Sequence, residues 1–168
     1  PVDRWESCDG HNLLAAFYAD PERTSLAFQT FVLATRRRAL LEAVAEARRT
    51  GARAVVLERG FEGDGCFAEA TLPDPWFAAY RVVSAELRLD LGDDARCVFL
   101  DVDPVTATGR ARARGRASEG SKVTVEYQER LWDLLKRRLP GDRLELPWCP
   151  STRKATLERV VALLGCTL

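Results

Sequence analysis

Two short apolar runs constrain this chain most: "AVVL" at 54–57 and "CVFLDV" at 97–102, each ended abruptly by charge and each flanked by segments of helix length. Uninterrupted runs of β-branched and apolar residues, without polar alternation, suit strands covered on both faces. A third candidate strand is "RLELPW" at 143–148. Strands that alternate with helices of this length are joined by crossovers and lie parallel. The fold class read from the sequence is therefore α/β.

The helical segments carry their own start and stop signals. "NLLAAFY" at 12–18 is a turn or two. The stretch from Asp20 to Gly51 is one long helix, with Asp20 as N-cap, Pro21 in the first turn and Gly51 at the C-terminal stop. Asp103 and Pro104 open another helix after the second strand. "TVEYQERLWDLLKRRLP" at 124–140 is amphipathic, with Leu131, Leu134 and Leu135 on one side and Pro140 past its end, and a closing helix runs from Ser151 to Gly165. With 168 residues, 46% of them hydrophobic, the chain suffices for one domain with a real core.

Charge and cysteine usage exclude several function classes. The 25 basic and 25 acidic residues cancel, so no global field draws the protein to nucleic acid or anionic lipid. No apolar run approaches a membrane span, and the first residues do not form a secretion signal. The five cysteines show no close pairing, and the single His11 completes no zinc site with them at a usual spacing, so they read as reduced thiols of an intracellular, most simply cytoplasmic, protein with a mitochondrial location open. The chain contains no Met, so Pro1 is expected to be a processing point or an artificial start, and the chain a piece of something longer.

"GRASEGSK" at 115–122 raises the question of phosphate. Its two glycines have the separation of the P-loop pattern GxxxxGK[ST], but Ser121 precedes Lys122, no hydroxyl residue follows, and "GRARAR" stands where an apolar strand should lead in. As a P-loop it fails. In open parallel sheets ligands bind beyond the carboxyl ends of the strands. The first run delivers Glu58 and Arg59 there, a carboxylate and a guanidinium able to meet a phosphate and its metal, although such a pair at a strand end is more often a solvated salt bridge. On the long helix, Gln29, Val32 and Arg36 share a face beside Phe28, so an amide and a guanidinium could read a nucleobase edge against an aromatic wall. Most Gln and Arg side chains on helices are merely solvated.

Taken together and in this order, "PVDRW", "NLLAAFYADPER", "FQTFVLATRRR", "LERGFEGDGCFA" and "RARARGRASE…VEYQERL" resemble the deoxynucleoside kinases, the group of deoxycytidine, deoxyguanosine and mitochondrial-type thymidine kinases, over nearly the whole chain. The resemblance implies a P-loop kinase-like, three-layer fold with a five-stranded parallel sheet, residues 1–168 forming the C-terminal portion of one kinase domain. It implies ATP-dependent phosphorylation of a nucleoside 5′-hydroxyl, with ATP and Mg²⁺ required, and a homodimer. Carried over by position, Trp5, Phe28 and Phe67 would wall the base and Gln29 would bond its edge. Tyr18 and Glu119 would hold the sugar 3′-hydroxyl, with Ser118 as an alternative to Glu119. Arg59 would sit beside the 5′-oxygen, Glu58 would help hold Mg²⁺, and Arg110, Arg114 and Arg116 would form a lid whose charge meets the transferring phosphoryl. A nucleic-acid-binding strip is the competing reading of "RARARGR", ranked lower because it lacks interleaved aromatics and a basic surround. Arg36 and Asp64 match a charged pair facing the base. Asp64 can accept from the exocyclic amine of cytosine or adenine, so deoxycytidine or a purine deoxynucleoside is expected over thymidine; Val32 is bulkier than the most purine-tolerant pockets would suggest.

The chain also departs from the family's pattern. Gly60 replaces the usual Ser after Arg59, Gly65 replaces an Arg, the stretch from Asp64 to Phe67 is one residue short, and that between Glu119 and Tyr127 one residue long. The first strand, the P-loop and the general-base carboxylate that would precede "PV" are expected upstream. A non-catalytic relative serving as accessory subunit is the alternative function; the retained nucleoside-site residues argue against it.

Overall fold

The computed structural model describes residues 2–91, 95–116 and 122–165. The element order is α1 (Val2–Glu6), α2 (Leu13–Ala19), α3 (Pro21–Thr50), α4 (Phe61–Thr71), α5 (Asp74–Leu87), β1 (Val98–Asp101), α6 (Pro104–Arg114), α7 (Val125–Arg138), β2 (Leu144–Pro147) and α8 (Arg153–Leu163), the last entered through a 3-10 turn at Pro150–Thr152. The expected starts and stops are used. Asn12 Oδ1 accepts from Ala15 N at 2.7 Å, Asp20 Oδ1 from Arg23 N at 3.3 Å, Asp103 Oδ1 from Thr106 N at 2.9 Å and Thr124 Oγ1 from Tyr127 N at 3.2 Å, so four helices begin on a side-chain cap. Gly51 closes α3 at φ 70°, the left-handed conformation that glycine adopts at least cost.

β1 and β2 pair in parallel, Val98 opposite Leu144 through Asp101 opposite Pro147, with α6 and α7 in the crossover. Parallel pairing through a helical crossover is the α/β arrangement that the sequence predicts. α7 is pinned to this pair by a hydrogen bond and two ion pairs: Trp132 Nε1 donates to Asp101 at 2.8 Å, and Lys136 bridges Asp101, at 3.0 Å, and Glu145.

Three apolar clusters hold the helices together. Leu33, Leu40, Phe61, Ala68, Leu72 and Tyr80 join α3, α4 and α5. Trp5, Leu14, Phe17, Phe28 and Val32 join α1, α2 and α3, and Cys66, Ala70, Leu131 and Leu134 join α4 to α7.

Two sequence expectations are corrected. The run at 54–57, expected as a buried strand, is an extended loop with Val56 74% exposed; among the described residues no neighbouring strand offers it a ladder, and an unladdered strand has little to hold it. The five-stranded, three-layer sheet is accordingly represented among the described residues by two strands, and most of the protein is helical. α4 and α5 went unforeseen. "FEGDGCFAEAT" carries two glycines, each worth nearly 1 kcal/mol against a helix, yet packing between α3, α5 and α7 outweighs that propensity.

Candidate functional site

α3 lies at the centre of the site because its residues at three- and four-residue spacing turn inward: Ser25, Phe28, Gln29, Val32, Leu33, Arg36 and Leu40 are buried, Phe28 and Val32 against α1 and α2, Leu33 and Leu40 against α4 and α5. Two of these, Gln29 and Arg36, are polar groups held almost wholly out of bulk solvent. Arg36, 5% exposed, donates from Nε to Asp64 Oδ2 at 2.9 Å and from Nη2 to Oδ1 at 3.1 Å, while Asp64 is 1% exposed. The third arm of the guanidinium, Nη1, donates to the Glu58 carbonyl. Two turns earlier, Gln29 Nε2 donates to Thr71 Oγ1 at 3.2 Å, which holds the amide between α3 and the end of α4.

Aromatic rings close one side. Phe17 and Phe28 stack at 4.7 Å between centroids, Trp5 meets Phe28 edge-on at 6.0 Å, and Trp5 Nε1 is oriented by Thr35 Oγ1 at 3.1 Å. Opposite them, Arg59 lies with its guanidinium 4.1 Å from the centre of the Phe67 ring. Arg59 has φ 63°, a left-handed conformation unusual for a residue with a side chain. The residue remains accessible at the surface, but the groups crowding its guanidinium pull its pKa below the usual arginine value; Asp64 and Glu58 oppose that shift.

These side chains enclose a cavity of about 140 Å³, lined by Trp5, Tyr18, Phe28, Gln29, Val32 and Arg36 from the first three helices, by Glu58, Arg59, Asp64 and Phe67 around the start of α4, and by Arg114 and Arg116 from the end of α6. Twelve residues singled out in the sequence thus meet at one place. Arg110 does not join them; its Nη2 donates to the Trp148 carbonyl at 3.2 Å, just past β2. Glu119 and Ser118 lie outside the described residues.

Three lining residues escaped the sequence reading: Leu14, Phe17 and Tyr127. Leu14 and Phe17 are three apart on α2, a spacing that puts two apolar side chains on one helix face without marking a ligand. Tyr127 was visible as an aromatic in the first turn of an amphipathic helix; burial pushes its hydroxyl pKa up, as does the neighbouring Tyr18, while Arg59 pulls it down. The thiols differ by location. Burial pushes Cys66, packed between α4 and α7, up to about 11, whereas hydrogen bonding with Ser151 and Thr152 draws Cys149, away from the cavity, down to about 7.

Among the described residues no three His, Cys, Asp or Glu side chains cluster to hold a metal unaided, and Glu58 and Asp64 are the carboxylates of the cavity lining. Asp64 is committed to Arg36, so Glu58 beside Arg59 is the carboxylate suited to a magnesium ion that arrives on a phosphate. Such an ion takes one or two carboxylates, waters and phosphate oxygens, not a protein cage. No helix among the described residues is long and apolar enough to cross a membrane. What the cavity combines is an aromatic slot, a buried polar edge and three guanidiniums of Arg59, Arg114 and Arg116 near a carboxylate, which is a chemistry suited to a flat heterocycle joined to a phosphate-accepting group. The model of the deoxynucleoside kinase family matches residues 1–140, a span that contains every residue lining the cavity, and the chain belongs to that family.

Proposed function

We propose that the protein phosphorylates the 5′-hydroxyl of a deoxynucleoside at the expense of ATP, with deoxycytidine or a purine deoxynucleoside preferred to thymidine, and that residues 1–168 are a portion of one such kinase domain. The observation that carries this reading is the convergence on one cavity of the aromatic slot, the buried Arg36–Asp64 pair, and Arg114 and Arg116 at the end of α6. In this reading Trp5, Phe28 and Phe67 cover the faces of the base and Gln29 bonds its edge. Each Asp64 oxygen keeps a lone pair beyond the one that Arg36 occupies, and so can accept from an exocyclic amine. A thymine carbonyl turned to the same oxygens would leave polar groups unpaired, at about 1–3 kcal/mol.

Tyr18 and Glu119 are assigned to the sugar 3′-hydroxyl. Arg59, Arg114 and Arg116 are assigned to the phosphoryl group in transfer, where preorganised positive charge meets the charge that develops. The cavity fits Mg²⁺ through Glu58, and the ion, when bound with ATP, neutralises phosphate charge. Arg110 is reassigned from the phosphoryl group to the backbone after β2, where its bond to Trp148 lies. The family's homodimer is carried over as part of the same proposal.

Turnover of the four deoxynucleosides by the full protein, with ATP and Mg²⁺, tests the reading. Deoxycytidine or a purine deoxynucleoside should give the highest kcat/KM. Arg114→Ala should lower kcat by roughly 10²–10³-fold while moving the nucleoside KM little, because the interaction it removes is made in the transition state. An unchanged kcat would remove Arg114 from the phosphoryl end, and thymidine as best substrate would overturn the role given to Asp64.

A further inference from the structure

We propose that Arg36 is a positioning residue that ties the base end of the cavity to its phosphoryl end by holding the Glu58–Arg59 turn; the inference rests on the kinase reading above and deepens it. A guanidinium has five N–H groups in a rigid plane. Arg36 spends Nε and Nη2 on Asp64, in the first turn of α4, and Nη1 on the carbonyl of Glu58, just before that helix. One side chain of α3 therefore fixes two points on either side of Arg59.

The Glu58 carbonyl belongs to the peptide unit that leads into Arg59, so a hydrogen bond to it sets the plane from which Arg59 departs at φ 63°. That left-handed conformation is unfavourable for any residue with a Cβ and persists where its surroundings fix it. The chain on the N-terminal side gives little help. Ala52 N bonds to Ala47 O at the end of α3, Leu57 leans on the core from a half-buried position, and the residues between form no ladder. On the C-terminal side the first backbone bond is Asp64 N to Gly60 O at 3.0 Å, which starts α4. Arg36 is the group that connects these flanks, and its burial at 5%, against Asp64 at 1%, leaves it no solvent alternative. The geometry thus gives Arg36 a duty that a charge serving only to orient Asp64 would not have.

Two variants separate the duties. Arg36→Lys keeps a cation beside Asp64, but one ammonium cannot span both Asp64 oxygens and the Glu58 carbonyl. Asp64→Asn removes the carboxylate and leaves the guanidinium free to hold Glu58. With the full protein, R36K should lower kcat by roughly 10–100-fold for all four deoxynucleosides, thymidine included, as expected when a catalytic group is displaced by about an ångström. D64N should change the order of preference among the four deoxynucleosides, as expected of a group that reads the base, whereas R36K should leave that order as it is. Amide hydrogen exchange over residues 57–63 supplies a readout independent of activity, and should accelerate in R36K but not in D64N. Should R36K not fold, the double variant R36Q/D64N, which replaces the ion pair by two neutral amides and lacks the third arm, carries the same expectation as R36K. Equal kinetic and exchange patterns in R36K and D64N would overturn the proposal, since Arg36 would then act through Asp64 alone. So would native exchange at 57–63 in R36K, or accelerated exchange with unaltered kcat. If the native protein phosphorylates none of the four, the kinase reading fails, and the exchange comparison still decides whether Arg36 holds the turn.

Discussion

The segment at 54–57 and β1 are near twins in sequence, short apolar runs ended by charge, and they meet different fates. β1 finds β2 beside it, pairs over four residues, buries Phe99 and receives α7 through Asp101 and Lys136. The run at 54–57 finds no strand among the described residues, leaves Val56 outside and is anchored through its ends, by α3 at Ala52 and by Arg36 at Glu58. Strand character is thus conferred by a partner, and hydrophobicity alone supplies only the wish for one. The contrast has a functional side: the segment without a ladder is the one that delivers Glu58 and Arg59 to the cavity.

Arg36, which holds the end of the unladdered segment, is half of a buried ion pair, and breaking that pair should be the most damaging change in the comparison. Asp64→Ala strands the Arg36 guanidinium at 5% exposure without its carboxylate and should cost about 3–5 kcal/mol of unfolding free energy, read from urea denaturation. A loss under about 1 kcal/mol would mean that water reaches the stranded guanidinium and compensates it.

The two runs can next be compared directly. Leu146 on β2 is 1% exposed, so Leu146→Ala should cost about 2–5 kcal/mol through lost burial and the cavity left behind. Val56→Ala, at 74% exposure, should change stability by no more than about 0.5 kcal/mol. Equal losses in the same urea titrations would show that 54–57 is packed as tightly as β2 and would dissolve the contrast.

The helical half of the protein was the more legible in sequence. Asp20, Pro21 and Gly51 mark α3 because capping and the left-handed stop are local chemistry, and the face carrying Gln29, Val32 and Arg36 follows from helical spacing. Pairing was not legible, since nothing within 54–57 tells whether a neighbour exists. α4 was hidden because its glycines argue for a loop, and only the contacts with α3, α5 and α7 reverse that. In the cavity, motif order brought Glu58, Arg59, Asp64 and Phe67 to attention, whereas Arg110 shares its arginine-rich segment with Arg114 and Arg116 but points elsewhere. That α7 would add Tyr127 to the wall depended on its docking against α4.

The smallest expected effect lies at the junction itself. Gly60 is the N-cap of α4 yet has no side chain to cap it, and its φ of −114° and ψ of −176° are extended backbone that serine adopts without strain. Gly60→Ser would add an acceptor for an amide of the first turn, worth a few tenths of a kcal/mol over glycine, and would lower the freedom of the unfolded chain, together about 0.5–1 kcal/mol of stabilisation. The opposing term is steric: a Cβ at this position would approach Glu62 Oε2 to 3.2 Å. That oxygen ends a flexible side chain, but Arg88 pairs with Glu62 and limits its retreat. The sign therefore depends on whether Glu62 can give way, and Arg88→Ala decides it by releasing that carboxylate. Gly60→Ser should stabilise the native protein slightly in urea denaturation and stabilise the Arg88→Ala background more. Destabilisation in both backgrounds would show that the turn needs glycine for a reason other than the crowding at Glu62, and would place the constraint in the Glu58–Arg59 backbone that Arg36 holds.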